Sequence, residues 1–293
     1  MRLYLRFQLF LLAALFGLLV SPLASVAQEP DPLEEKPAAE AAEKPAAKEE
    51  RPAGPVARYI TISHPVNEVI FTRVRNAMVK LQNIADQEDR EAFLILEIER
   101  GTSMFGQVHD LAKELTSFSY SKVRTVAWIP EHSEGRPLDG YAAILALACR
   151  EIVMHPDAEF GDIGRGKSVD ADEKRLIINM VEKHYNPKVD GALAAGFLDP
   201  AEIVRRVKIE KTENGKTITE LRIVTAADHE ELRNDSVPIL DVETIKDEGK
   251  PFLISGDRAR NLDVLIKRTA RDRSELPDIY KFDRKYLRED VTG

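Results

Sequence analysis

Between Arg58 and His155 the chain repeats one pattern three times: a short strand-like run, then a stretch with apolar residues at helical spacing. The runs are RYITI (58–62), which alternates, then AFLILEI from Ala92 and VRTVAWI from Val123, which are apolar at nearly every position, and REIVMH closes the series as a fourth strand. The intervening stretches place apolar residues at Val69, Ile70, Val74, Met78, Leu81 and Ile84, then at Val108, Leu111, Ala112 and Leu115, then through YAAILALA from Tyr141. A strand that is apolar at every position must be covered on both faces, and the helices are the cover. The pattern therefore predicts an α/β fold, a parallel sheet joined by right-handed crossovers.

Beyond Gly164 the signal weakens. Lys174 to His184 reads as helix, and KIEKTENGKTITELRIV reads as a polar hairpin around Asn214-Gly215, expected to be an exposed insertion near residues 204–225. The stretch from Gly249 to Phe282 then offers a strand, Ser255 or Asp257 as a helix cap, another strand and a last helix. No fixed-period repeat marks a solenoid, so residues 56–291 are expected to share one core.

The first 27 residues carry Arg2 and Arg6, an apolar run, and Ser25-Val26-Ala27 in the small-x-small pattern of a signal-peptide cleavage site. The expectation is an exported protein, periplasmic or secreted, cut after Ala27; an uncleaved N-terminal membrane anchor is the alternative. Residues 28–55 are Pro, Ala, Glu and Lys with almost nothing to bury and read as a disordered spacer. Without the two leader arginines the formal charge of −8 becomes −10, and no basic block with interleaved aromatics is present, which argues against nucleic acid as a partner. The lone Cys149 sits in an apolar helix and reads as a buried hydrophobe. The six histidines form no HExxH and no ligand-spaced pairing with cysteine or carboxylate, so neither a metal nor another cofactor is expected.

Three stretches resemble the ClpP/crotonase superfamily, and within it the membrane-linked, NfeD-like serine proteases. LILEIERGTSMFGQVHDLAKEL is similar to that family's strand, Gly-rich turn and helix; TVAWI with YAAILALACREIVMHPDAEFGDIG is similar to its strand, nucleophile helix and following strand and loop; PFLISGDRARNLDVL is similar to its C-terminal unit. The resemblance implies a spiral of parallel-strand ββα units covered by helices. It also implies a Ser nucleophile, a Lys base and an oxyanion turn. Carried onto this chain, the nucleophile position falls on Gly140, beside Asp139 and Tyr141. The oxyanion turn falls on Gly101, Thr102 and Ser103, and the base position falls near Ile178, with Lys174 and Lys183 about a turn away.

All three chemical parts are thus altered, and the leading expectation is a catalytically silent homologue acting as a peptide-binding or assembly module. One rival is an active Ser-Lys peptidase with Ser133 or Ser103 as a relocated nucleophile and Lys174 or Lys183 as base. Another is an acyl-CoA enzyme using Asp139 as acid and base, which an export signal disfavours. The resemblance further implies a homo-oligomer, with Leu176 to Val181 as a candidate contact helix, and peptide or membrane-protein partners. No apolar run of spanning length follows the domain, so the membrane helices of NfeD-type chains are expected to be missing.

Overall fold

A computed structural model describes residues 54–131, 135–184, 186–213 and 216–288, all within one compact unit. The leader, the spacer up to residue 53, Ser133 and the Asn214-Gly215 turn lie outside the described residues. In chain order the first half runs β1 (Val56–Ile62), α1 (Glu68–Glu88), β2 (Ala92–Ile98), α2 (Phe105–Leu115), β3 (Val123–Ile129), α3 (Ala142–Leu147), β4 (Glu151–Met154) and β5 (Glu159–Gly161). The second half runs α4 (Ala171–Lys183), α5 (Gly191–Leu198), β6 (Val204–Glu213), β7 (Lys216–Thr225), α6 (Ala226–Asn234), β8 (Ile239–Lys246), β9 (Leu253–Ser255), α7 (Gly256–Leu262), β10 (Arg268–Thr269) and α8 (Leu276–Tyr280).

The main sheet is five-stranded in the order β1-β2-β3-β4-β10, and every pairing in it is parallel. Its two faces explain the continuous apolar strands. Ile60, Ile62, Leu94, Leu96, Ala127 and Ile129 face α1, α2 and α3 in the larger core, where Val74, Met78, Leu81, Val108 and Leu111 meet them. Tyr59, Phe93, Ile95, Val126, Trp128 and Val153 face the other way, under Leu276, Tyr280 and Phe282 of the C-terminal segment. Each buried Leu or Ile contributes roughly 1.5–3 kcal/mol of transfer free energy, so both layers are needed to hold the sheet.

Local signals set the helix ends. Asn67 caps α1 by accepting from the N–H groups of Val69 and Ile70, Asp170 caps α4, and Ser255 caps α7 by accepting from Arg258.

A second, much shorter strand follows two of the main strands before their helices. After β3, Leu138 forms a parallel bridge to Phe160 and the chain enters α3; after β4, β5 pairs antiparallel with β9 and the chain enters α4. The α/β architecture is therefore built from strand, short strand and helix in succession. A separate antiparallel sheet, β7-β6-β8, packs Val207, Ile209 and Val224 in a small core of its own.

On α4, Ile177, Met180 and Val181 are buried in the chain's own core, and Leu176 is its exposed apolar side chain. Among the described residues no helix is long and apolar enough to cross a membrane.

Candidate functional site

In an open parallel sheet, connections leaving the C-terminal ends of the strands form the natural crevice. Here three of them converge. The Gly101–Ser103 turn follows β2, the Gly140-Tyr141 corner precedes α3, and residues 163–170 lead from β5 to α4; together they line a pocket of about 280 Å³. The structure thus brings Gly101, Thr102, Ser103, Gly140 and Tyr141 to one place.

Gly140 turns the chain at φ 63°, in the left-handed region where glycine is unstrained. Its N–H donates to the Asp162 carbonyl at 3.3 Å, and a Cβ placed on it would lie 2.8 Å from Nε of Arg165. The space into which a side chain at position 140 would project is therefore filled by a guanidinium. Arg165 Nη2 donates to Asp139 Oδ1 (2.9 Å) and to the Gly101 carbonyl (3.1 Å), while Nη1 donates to Thr102 Oγ1 (3.1 Å). Asp139 serves as its counter-ion.

The loop that presents Arg165 is held tightly. Asp162 and Arg165 both adopt positive φ, 46° and 51°, a conformation that costs a non-glycine residue roughly 1 kcal/mol or more. Three backbone bonds and one to a side chain offset that strain: Asp162 N–H to Phe252 O (2.9 Å), Ile163 N–H to Phe197 O (2.9 Å), Arg165 N–H to Asp162 O (3.0 Å), and Gly166 N–H to the Asp162 carboxylate Oδ1 (2.7 Å).

Ser103 is buried at 6% exposure. Its Oγ shares a 2.7 Å hydrogen bond with His64 Nδ1 and accepts the Val66 N–H at 2.8 Å, so the hydroxyl ties the 64–66 segment to the turn. Sequence reasoning paired Ser103 with a lysine; the structure pairs it with a histidine 39 positions away. Burial, with a smaller contribution from Arg165, holds His64 below the ordinary histidine range, which weakens it as a base.

The lysine candidates are elsewhere. Lys174 Nζ donates to Asp199 Oδ2 (3.0 Å) and Glu202 Oε1 (3.3 Å), and with Ile178 it lines a different groove facing β7 and α6. Lys183 is exposed in the last turn of α4. The cations at the pocket are Arg165 and Lys167, neither of which sequence reasoning selected. Tyr141 donates to Glu173 Oε2 at 2.7 Å; that bond, with burial, pushes its hydroxyl up to about 12 and keeps it a neutral phenol.

For metal, Glu131, His155 and Asp157 place one ligand atom each within 4.8 Å of one another, a spacing missed in the sequence. Two of the three are exposed carboxylates, and His155 Nδ1 already accepts the Asp157 N–H at 3.2 Å.

No family model matches the chain, and no curated protein does. Among solved structures it is similar to the 1510-N membrane protease of Pyrococcus horikoshii, specific for a stomatin homolog, at 12% identity over 78% of this chain and 79% of that one, with a TM-score of 0.42. A mutant of that protease in complex with a substrate peptide gives 12%, 77%, 80% and 0.44. A probable enoyl-CoA hydratase/isomerase from Mycobacterium abscessus gives 11%, 80%, 73% and 0.41. Likeness this distant carries no activity across.

Proposed function

We propose that this chain is a catalytically silent, exported relative of the NfeD-like proteases in the ClpP/crotonase superfamily, and that it binds or assembles rather than hydrolyses. The observation that carries this reading is Arg165, whose guanidinium fills the space above Gly140 and is bonded to the oxyanion-turn segment and to Asp139. A peptidase needs in that space a nucleophile, a base and room for the carbonyl. Here the nucleophile position has no side chain, and Ile178, at the base position, packs against the core. The natural partners of such a module are a peptide, a membrane protein or further copies of the chain.

Ser103 bonded to His64 supports the rival reading of a relocated nucleophile. Its hydroxyl is buried and already accepts a backbone N–H, and among the described residues no carboxylate bonds His64 to orient it, so the pair reads as a structural tie.

The test is labelling by a serine-directed fluorophosphonate together with casein hydrolysis. We expect neither, and we expect Gly140→Ser to restore neither, because Arg165 and Ile178 remain; an oxyanion turn and binding alone retain only about 10³ to 10⁴ over water in serine proteases. Hydrolysis abolished by Ser103→Ala would replace this proposal with the peptidase.

A further inference from the structure

At the opposite end of the main sheet the N-terminal ends of the strands form a second cavity, of about 410 Å³. Four segments build it: Arg124 of β3, Arg150 to Ile152 entering β4, Asn186 to Lys188 entering α5, and Leu265 to Lys267 entering β10. They are tied together by the backbone bond from Leu265 N–H to Lys188 O (2.7 Å), by Asn186 Nδ2 donating to Cys149 O (3.1 Å), and by Arg150 N–H donating to Thr125 Oγ1 (3.0 Å).

The charges around it do not balance. Arg124, Arg150, Lys188 and Lys267 line the cavity against one carboxylate, Glu151. Glu151 is 6% exposed and is shared by Arg124 (2.5 Å) and by Arg268 (3.1 Å), and Lys188 is paired with Asp263 (2.6 Å). Arg150 and Lys267 meet no carboxylate among the described residues. Burial, and then the like charge of Arg124, lower the Arg150 guanidinium from its ordinary value, so this cation is kept partly out of water beside another cation. On a chain with a formal charge of −8, a walled cluster of uncompensated cations focuses a positive field onto one small volume.

We propose that this cavity is a binding site for a small organic anion, a carboxylate or phosphate head on an apolar body. Arg150 and Lys267 hold the head, since a guanidinium fork and an ammonium are the side chains that match oxyanions. Ile152, Leu265 and Pro187 wall the rest, and the volume is at the lower end of the range for ligand pockets, about 300 to 1,000 Å³. The site is independent of the reading of the Gly140 pocket.

Titration calorimetry with octyl phosphate, octanoate and inorganic phosphate tests it, with octyltrimethylammonium as the control. The expected result is binding of octyl phosphate or octanoate, weakened by added salt, no binding of the cationic control, and at least about a tenfold loss in Arg150→Met and in the exposed Lys267→Glu. Octyl phosphate binding more tightly than octanoate would identify a phosphate head, and the reverse a carboxylate. Arg165→Ala, at the other end, should bind as the parent does. No binding of either amphiphile, or binding unchanged in Lys267→Glu, would overturn the proposal.

Discussion

The two ends of the parallel sheet are built from the same strands and handle charge in opposite ways. At the C-terminal end most of the groups that could do chemistry are spent on another protein group: Arg165 on Asp139 and the Gly101-Thr102 backbone and hydroxyl, Tyr141 on Glu173, Ser103 on His64. At the N-terminal end Arg150 and Lys267 are left without a counter-ion among the described residues, around a larger cavity. A group already paired within the chain has little left to offer a ligand. The difference teaches that the same strands can carry a crevice whose groups are mostly paired within the chain at one end and, at the other, a cavity lined by cations unpaired among the described residues.

The strongest way to break the comparison is to dislodge the loop that saturates the first end. Gly161 has φ 136°, and a Cβ there would lie 2.0 Å from the Phe252 carbonyl and 2.9 Å from the Phe197 ring. Neither neighbour can retreat: one is backbone, and the other is stacked on Phe252 with centroids 4.6 Å apart. We expect Gly161→Ala to cost more than about 3 kcal/mol in urea unfolding. A loss below about 1 kcal/mol would show that the loop is not locked.

The second test works at the other end, through pH. His184 lies beside Arg150, and burial, followed by that like charge, lowers it from the ordinary 6.5 to about 4. The unfolded chain therefore binds a proton that the folded chain refuses between those values. Stability contributed by the neutral ring is complete above pH 6.5 and is lost as the pH falls toward 4, by on the order of 2 kcal/mol given partial solvent access. His184→Gln should flatten the stability profile in that window. An unchanged slope would mean that the imidazole charges freely in the native state and that this end is wetter than its cations suggest.

How much of this was legible in the sequence follows from which signals are local. The parallel strands were, because covering both faces forces apolar residues at most positions of Ala92–Ile98 and Val123–Ile129, Glu97, Arg124 and Thr125 being the exceptions. Helix α5, GALAAGFL, was not, because Leu193 through Leu198 are all buried and a helix covered all round has no amphipathic period. Strand β8 is exposed along most of its length and carries no alternation to read. At the pocket, the turn and corner residues were legible because they are short-range features. Arg165 was not: its partners are 26 to 64 positions away, and GDIGRGK gives no sign that the arginine takes a left-handed backbone and turns back over Gly140. His64 and Ser103 were hidden by the same kind of separation.

The smallest expected effect is the sharpest, because it asks whether Arg165 holds the first end together or only occupies it. Its ion pair with Asp139 is partly exposed, at 43% and 27% of the side chains, and such pairs are worth at most about 1 kcal/mol. Arg165→Ala should therefore cost about 1 kcal/mol, since alanine gives up the hydrogen bonds yet keeps the strain of φ 51°. Arg165→Gly gives up the same bonds but relieves that strain, and should be close to neutral because the two terms are of similar size, roughly 1 kcal/mol each. The gap between the two variants in urea unfolding measures the strain directly, free of the ion pair. If both cost several kcal/mol, Arg165 is a structural keystone of the corner, and the contrast between a merely occupied end and an open one fails.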